Sequence, residues 1–457
     1  MIAQDTPAFN FSTCIARLAH AAIPTSSSPA LVAVKPLGAE TNNFISGYAD
    51  YADVIEAPKV AHEIVAEQIV AAVLNKKGVV IPFGGAPLTL DTWQVLLSGS
   101  GFGRSTLIRL VRPILHGVGL LDLIQPSNWG SEIAAMQGFS KNPSGLLVWG
   151  EMSEQMRKLN QPNFPTLKQW ITDRYDDPCP PHPVTYRSTG KPKKDTPSIQ
   201  FDQAPRINIL ATSSEDWFFP NVMQGDSTGG WIPRWMLNRL PRDGRCIPIP
   251  KNPDPDMAAA LIKSLEKINA IKANEVDLSE VAEEYKQWYR RAKARFEEQP
   301  NPSLSAPYFN RHRGHILKLA AIYTAASSCA LKVTPQAWNM AVERASQLEE
   351  TIFAFLPTGM NSGGYERTKM MGRIQDAGDD GITLTAFTRA FQHTEYWQRE
   401  NHLSTLSDSG QVQLFARKTT GRPSNVLVAE DSISDYMKKH PRDSRAVEGI
   451  KTILRRG

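Results

Sequence analysis

The sequence predicts an α/β core, a helical subdomain after it, and a winged-helix domain at the C-terminal end. Short apolar runs alternate with helical patterns up to residue 249, helical patterns alone fill residues 257–355, and three helical patterns followed by two alternating segments come last. Strands that alternate with helices form a parallel sheet covered by helices. The 457 residues leave room for about two to four domains.

Composition excludes a disordered chain and leaves the class of partner open. Hydrophobic residues make up 41%, and 51 Lys and Arg against 46 Asp and Glu leave a net charge of +5, which permits a nucleic-acid partner without demanding one. Cys14, Cys179, Cys246 and Cys329 form no Cys-x-x-Cys pair, which indicates neither a zinc site nor a disulfide framework. With no basic leader and no apolar run of about 18 residues, we expect a cytoplasmic protein with no membrane partner.

Four segments are predicted along the chain. Residues 1–47 are interpreted as an N-terminal arm or adaptor, 48–256 as the α/β core, 257–357 as a helical lid, and 365–457 as a winged-helix domain with a basic tail. The Gly/Ser-rich residues 359–364 are interpreted as the linker before the last domain.

The core opens with a helix and continues with short strands. Over residues 62–75 the apolar positions recur with helical spacing, and Gly78 stands where a C-terminal cap belongs. The Pro-rich and Lys-rich residues 176–197 are too polar for a core and predict an exposed loop or hairpin. The predicted strands are residues 79–83, 95–97, 146–149, 207–211 and 246–249.

The last two segments are predicted from helix signals and a hairpin. The final lid helix begins with Thr334 as N-cap and Pro335 at the first helical position. Three helices and a hairpin around Gly421-Arg-Pro423 then make a winged helix. Its predicted elements are helices near residues 368–377, 384–391 and 396–406 and strands at 412–416 and 426–428.

The Gly-rich turn at residues 98–106 predicts a phosphate loop. An apolar strand precedes it and an amphipathic helix follows, so successive backbone N–H groups would meet phosphate oxygens at a helix N-terminus. Ser105 would hold Mg²⁺ through its hydroxyl. A Gly-rich turn that binds no ligand is the alternative. The residues predicted to bind the nucleotide are Gly99, Gly101, Gly103, Arg104, Ser105 and Thr106.

Two further strand ends carry polar residues that phosphoryl transfer requires. Glu151 follows the run 146–149, where it would polarise the attacking water, and the run from residue 207 ends in the hydroxyls of Thr212 and Ser213. A glutamate that merely begins a solvated helix is the alternative for Glu151. Downstream, Arg234 stands among aromatic and apolar residues, so its charge needs either an acid inside the fold or the phosphates of a neighbouring subunit's nucleotide.

Three positions depart from the usual phosphate-handling motifs. Ser98 replaces the first glycine of the loop, Arg104 replaces its lysine, and Gly150 stands where an aspartate would organise Mg²⁺ through water. These departures favour nucleotide binding over rapid hydrolysis.

This ordered set of motifs is followed by the segment Asn310-Arg-His-Arg-Gly-His-Ile-Leu-Lys-Leu-Ala320. Together they resemble the primase-helicase-type P-loop ATPase domain family of unknown function from phages, plasmids and genomic islands. That family is similar to the minichromosome-maintenance branch of AAA+ ATPases. The resemblance spans about residues 48–355 and implies an AAA+-like α/β P-loop NTPase core with an α-helical lid, ATP and Mg²⁺ as cofactors, and DNA as partner. It further implies a homo-oligomeric ring of the hexameric kind and replication or defence proteins as additional partners.

The resemblance also assigns roles to single residues. By that likeness Arg234 is the finger that acts on a neighbour's nucleotide, Thr212 or Ser213 is the first sensor, and Arg311 at the head of the lid helix is the second sensor.

Basic residues crowd the predicted wing and the tail. A winged helix contacts phosphates through its wing, so a cluster there predicts a DNA interface. Docking of a protein partner is the alternative. The residues predicted to bind DNA are Arg417, Lys418, Arg422, Lys438 and Lys439.

Three functions follow from these patterns. The leading hypothesis is a ring-forming, AAA+-like, helicase-like ATPase acting on DNA in the replication of a mobile element. The second is a catalytically weak or inactive ATPase-fold subunit for assembly or DNA binding in a defence or transposition complex. The third is a transcriptional regulator led by the winged helix.

Overall fold

The computed structural model describes residues 43–99, 104–185, 198–241, 247–299, 302–356, 362–417 and 424–445. The described residues divide into two compact units, with the boundary between Lys369 and Met370. The predicted core and lid fall in the first unit, and the predicted C-terminal domain falls in the second apart from residues 365–369, which belong to the first. None of the described helices combines the length and apolar character needed to cross a membrane.

A five-stranded parallel sheet forms the centre of the first unit, so the predicted α/β class is confirmed. Its order is β2-β3-β4-β1-β5, which puts β1, the strand before the Gly-rich turn, between β4 and β5. The carboxyl ends of parallel strands meet at one edge of a sheet, where ligands bind. The strands are β1 Trp93–Leu97, β2 Ile124–Gln125, β3 Ser144–Trp149, β4 Arg206–Ser213 and β5 Trp235–Arg239.

Two predicted strands do not join the parallel sheet. Val80–Ile81 pairs antiparallel with Leu88–Thr89 in a separate ribbon, because the intervening turn returns the chain at once. Residues 247–249 form no strand, and Ile249 is 84% exposed. The sheet instead takes β5 and the two-residue edge strand β2, which is too short for periodicity to indicate.

The first unit also contains the Pro-rich excursion and thirteen described α-helices that lie wholly within it. The excursion returns through the antiparallel ribbon Val184–Thr185 with Ser198–Ile199, as the hairpin interpretation predicts. The helices are α1 Phe44–Ala52, α2 Lys59–Lys76, α3 Arg104–Leu107, α4 Arg112–Val118, α5 Glu132–Lys141, α6 Met152–Leu159, α7 Leu167–Arg174, α8 Glu215–Asn221, α9 Gln224–Thr228, α10 Pro255–Asn269, α11 Ala282–Glu297, α12 Pro302–Ser328 and α13 Pro335–Phe355.

Helix α2 is buried on all sides from Val60 to Asn75, although it carries polar residues. Gln68 Nε2 donates to the Ile209 carbonyl at 2.9 Å, and Asn75 Nδ2 donates to Asn208 Oδ1 at 2.8 Å. These bonds tie the helix to β4 and satisfy amides that would be costly to bury unpaired. Gly78 ends the helix at a φ of +77°, the left-handed conformation that favours glycine.

A buried carboxylate joins the lid to this helix and to the sheet. Tyr323 of α12 donates to Glu67 Oε1 at 2.7 Å, and Gln94 Nε2 of β1 donates to Glu67 Oε2 at 3.0 Å. The Arg344 guanidinium of α13 lies 3.5 Å from Glu67 Oε1. Removing one partner of such a buried pair leaves an uncompensated charge, so the lid helices are held against the sheet.

A second buried charge, Lys318 of α12, lies at the amino edge of the sheet. Its Nζ is 2.7 Å from Asp176 Oδ1 and donates to the Asp91 carbonyl oxygen at 2.7 Å. The ammonium also lies 4.0 Å from the centre of the Tyr175 ring. Burial alone would lower the pKa of Lys318, but Asp176, Tyr175 and Asp91 raise it above its ordinary value, so the ammonium stays charged.

The second unit has its own core and a four-stranded antiparallel sheet of order β6-β8-β7-β9. Met370 and Ile374 pack with Phe387, Leu403 and Leu427 in this core. A helix, a short strand, two helices and a hairpin follow one another. The elements are α14 Ser362–Gln375, which crosses the boundary between the units, β6 Ile382–Thr383, α15 Leu384–Ala390, α16 Tyr396–Asp408, β7 Val412–Arg417, β8 Ser424–Ala429, α17 Ile433–Lys439 and β9 Ser444–Arg445.

The Asp91→Asn substitution tests the protonation of the buried network. Burial raises the pKa of Asp91 from 3.8 to about 6. The folded state therefore binds the proton more tightly, and this group contributes stability that is present below about pH 4 and is lost as the pH rises through about 6. From pH 7.5 to pH 5 the unfolding free energy of the unaltered protein should gain about 1 kcal/mol more than that of the variant. Urea denaturation at each pH measures the difference, and equal gains would contradict a raised pKa.

Candidate nucleotide site and arginine pair

Glu151 lies at the carboxyl edge of the sheet, next to the end of β4. It is the N-cap of α6, where its Oε1 accepts from the Ser153 backbone N–H at 3.2 Å. The Ser213 hydroxyl donates to the same carboxylate and lies 2.9 Å from Ser153 Oγ. The structure thus brings together the acid and one of the hydroxyls that the sequence singled out.

The start of the Gly-rich turn adjoins these groups. The Ser98 backbone N–H donates to the Ser213 carbonyl at 3.1 Å, which fixes the end of β1 beside the end of β4. Thr212 Oγ1 donates to the Gly150 carbonyl at 2.5 Å and so links β4 to β3. Three strand ends therefore meet where the Gly-rich turn begins.

Several residues predicted for the phosphate loop lie outside the described part of the chain. These are Gly101 and Gly103, together with the side chains of Arg104 and Ser105. Gly99 is partly buried at the exit of β1, and Thr106 in α3 accepts from Arg109 Nη2 at 3.0 Å.

Gly150, where an aspartate is expected, lies in open space. A Cβ added there would meet no atom within 4 Å. Its backbone φ lies outside the left-handed range, so a side chain at this position meets no backbone strain. Packing therefore does not explain the glycine.

Arg234 lies at the opposite edge of the sheet, in the single 3-10 turn that leads into β5. Its Nη1 donates to the Gly230 carbonyl at 2.6 Å, while its Nε is buried with no hydrogen-bond partner among the described residues. Burial lowers the pKa of Arg234 to about 10, and the nearby Arg311 cation acts in the same direction. Tyr175, Asp176 and Asp173 raise the pKa of Arg234, but their effect does not offset the lowering.

Arg311 joins Arg234 on the ring of Tyr175. The two guanidinium carbons lie 6.0 Å and 5.7 Å from the ring centre, a cation–π distance. The Tyr175 hydroxyl is 3.0 Å from His315 Nε2, and burial lowers the pKa of His315 well below its ordinary value. In the described part of the chain neither arginine has a salt-bridge partner, because Asp176 pairs with Lys318.

The two groups of site residues lie at opposite edges of one sheet. Arg234 precedes β5, whereas the Gly-rich turn follows β1, which pairs with β5 residue by residue from Trp93 to Leu97. Five strand residues separate the edges by about 16 Å. Within one chain the arginine pair therefore does not reach Glu151.

The predicted DNA-binding residues that the structure describes in the second unit are all paired with acids. Arg417 Nε lies 3.5 Å from Asp443, Lys438 is 2.8 Å from Asp435, and Lys439 is 2.8 Å from Asp380. Exposed pairs such as that of Lys438 are weak and can exchange with phosphate. The predicted DNA residues Lys418 and Arg422 lie outside the described residues.

Helix α16, the third helix of the predicted winged helix, exposes an aromatic side chain. Trp397 in the first turn of α16 is 59% exposed, and Arg399 Nη1 is used to hold the Phe391 carbonyl at 2.9 Å. This arrangement favours the protein-docking alternative at this end of the helix.

Sequence reasoning missed the buried network that supports the arginine pair. Lys318 carried a usable signal, because it interrupts an apolar run from Ile316 to Tyr323, and a lysine there needs a buried partner. Tyr175 and Asp176 carried none, since they begin a polar excursion. The ion pair between Arg239 Nε and Glu215 Oε1, at 2.5 Å, was also missed.

A scan against protein-family models finds no match for this chain, and a search of curated proteins finds no similar sequence. The likeness to a primase-helicase family therefore stays a prediction.

Tyr175 variants test whether its ring supports the cations around it. Tyr175→Phe loses the hydroxyl, with its contact to His315 and its hydrogen bond with Lys318, and should lower the unfolding free energy by about 1 kcal/mol. Tyr175→Leu also loses the ring beneath Lys318, Arg234 and Arg311 and should cost about 3 kcal/mol. Urea denaturation compares the two, and equal losses would show that the ring contributes nothing beyond its hydroxyl.

Proposed function

We propose that this protein is a nucleotide-binding, self-assembling ATPase of the AAA+ kind that acts on DNA. One observation carries the proposal: the carboxyl edge of the sheet bears the acid and hydroxyls of a phosphate site, while the opposite edge bears two arginines without an acidic partner among the described residues. Each chain thus holds the two halves of a site at edges too far apart to meet.

The sheet order supports an AAA+-like core. β1, which carries the Gly-rich turn, neighbours β4 with its terminal hydroxyls, and β3 with Glu151 lies on the far side of β4. This places an additional strand between the phosphate loop and the acid, as in ATPases with a water-polarising glutamate. The lid helices α10 to α13 follow the sheet, in agreement with the sequence resemblance.

The donor set at the carboxyl edge fits a nucleotide with Mg²⁺. Mg²⁺ is a hard cation that binds oxygen, and the edge offers the Glu151 carboxylate beside the hydroxyls of Ser153 and Ser213. Bound ATP supplies the phosphoryl group that is transferred to water. Glu151, held by Ser213 and the Ser153 N–H, would orient that water and accept its proton.

A neighbouring copy would complete the site with its arginine pair. Arg234 and Arg311 are partly exposed and lie side by side on Tyr175, so both can meet one anionic group. Arginines supplied in this way stabilise the charge that develops on the transferred phosphoryl group. A contact between opposite edges of identical chains is head-to-tail, and it closes into a ring when the rotation permits.

The DNA partner is supported by the second unit. Its order of helix, strand, two helices and hairpin supports the winged-helix interpretation. Lys438 and Lys439 lie exposed on α17, in weak pairs that phosphate can replace.

Mixing two inactive variants tests the shared site. Glu151→Gln removes the carboxylate and Arg234→Ala removes the neighbour's cation, so each should reduce DNA-stimulated phosphate release on the order of a hundredfold or more. In an equal mixture about one interface in four joins an intact Glu151 to an intact Arg234, and about a quarter of the unaltered rate should return. Phosphate release at saturating ATP measures the recovery.

The matched control is Arg290→Ala, which removes an exposed arginine of the lid helix α11 and should keep the full rate. If the two variants assemble together but the mixture stays inactive, Glu151 and Arg234 do not act at one shared site.

A second candidate function is an ATPase-fold subunit that binds nucleotide only to assemble. Gly150 favours it, because the position lacks the acid that organises Mg²⁺, although the surrounding space is open.

Gly150→Asp tests this second candidate. The added carboxylate fits without a clash, so the variant should unfold at the same temperature and raise Mg²⁺-dependent ATP hydrolysis about tenfold or more. Gly130→Asp, at another glycine with open surroundings, is the control and should leave the rate unchanged. A folded Gly150→Asp protein with an unchanged rate would show that the missing acid does not limit turnover.

A further inference from the structure

An open groove of about 720 Å³ lies beside α4 in the first unit. It is distinct from the sheet edge that carries Glu151. Three of its described lining side chains are basic, the others are apolar, and none is a carboxylate. The lining residues are Arg109, Arg112, Pro113, His116, Leu121 and Ile124.

Helix α4 holds its basic residues toward the groove. Arg112 and His116 are four residues apart, so they lie on the same face of the helix, and both are exposed. At Gly117 the helix packs against α10 so closely that a Cβ would overlap the Ile262 side chain. The packed face fixes the rotation of α4 and keeps the basic face outward.

The charge of the groove is not neutralised by nearby acids. Asp122, the nearest carboxylate along the chain, pairs with Lys76 at 2.5 Å. Arg109 Nη2 donates to the Thr106 hydroxyl, whereas Arg112 has no salt-bridge partner among the described residues. Leu121 is 44% exposed and adds apolar surface beside the cations.

We propose that this groove binds the phosphate backbone of a DNA single strand. Arginine forks match phosphate oxygens in pairs, and Leu121 and Pro113 offer apolar contact to the bases or sugars. Because the groove is open to solvent, it is accessible to a strand. The proposal rests on the proposed function for its DNA partner, and a free nucleotide is the other source of the same phosphate chemistry.

Arg112 variants of the full chain test the groove with a fluorescent oligothymidylate of about 20 nucleotides. Arg112→Glu should weaken the affinity about tenfold or more at 0.1 M salt, and Arg112→Ala should reduce the slope of log K against log salt by about 0.7. The matched controls are Arg291→Glu and Arg291→Ala, at an exposed arginine of α11, and these should change the affinity less than about twofold.

The outcomes separate this proposal from the proposed function. If the Arg112 and Arg291 variants have equal affinities and equal salt slopes, the proposal that the groove binds a DNA strand is wrong. If Arg112→Glu weakens binding of a fluorescent ATP analogue and leaves oligonucleotide affinity unchanged, the groove serves free nucleotide and the strand proposal fails. An unaltered chain with no oligonucleotide affinity overturns the groove together with the DNA role, whereas failure of the mixing experiment alone leaves the groove intact.

Discussion

The buried ammonium of Lys318 is the interaction on which the arrangement of the first unit depends. A charge without solvent costs several kcal/mol unless it is paired and hydrogen-bonded. Lys318 is fully buried and satisfies this demand with Asp176, the Asp91 carbonyl and the Tyr175 ring. The lid helix, the segment after α7 and the start of β1 must therefore stay together. Because Tyr175 also carries Arg234 and Arg311, the same charge fixes the position of the arginine pair.

The sheet lies between this network and the proposed phosphate site and acts as a rigid spacer. At its carboxyl edge the Glu151 carboxylate accepts from the Ser213 hydroxyl and the Ser153 backbone N–H, and neither bond involves an arginine. Parallel strands position both edges through one hydrogen-bonded register, so the distance between them varies little. Each chain therefore has the Glu151 carboxylate at one edge of the sheet and the arginine pair at the other. This arrangement agrees with a site completed between two copies of the chain.

Basic residues in this protein have different roles according to their partners. Arg344 and Lys318 stabilise the interior against Glu67 and Asp176, while Arg417 is held by Asp443 and Tyr436. Arg112 lies exposed beside a groove without carboxylates among its described lining. The net charge of +5 is a sum over these unlike roles, so it does not identify a nucleic-acid surface. Arg112 is therefore a candidate DNA contact in the α/β unit, in addition to the predicted residues of the second unit.

Local patterns in the sequence determined the α/β class, helix α2 with its Gly78 end, and the polar residues at the ends of β3 and β4. Helical periodicity, caps and strand ends depend on neighbours along the chain, so they can be read without the fold. Tertiary contacts alone decided that residues 235–239 and not 247–249 complete the sheet, because pairing with β1 selects the strand. Tertiary contacts also place Arg234 and Arg311 on the same Tyr175 ring, far from Glu151, and pair Arg417 with Asp443. Those outcomes depend on ion pairs and ring contacts between side chains that are distant in the sequence. No local sequence pattern predicts which of these side chains will pair.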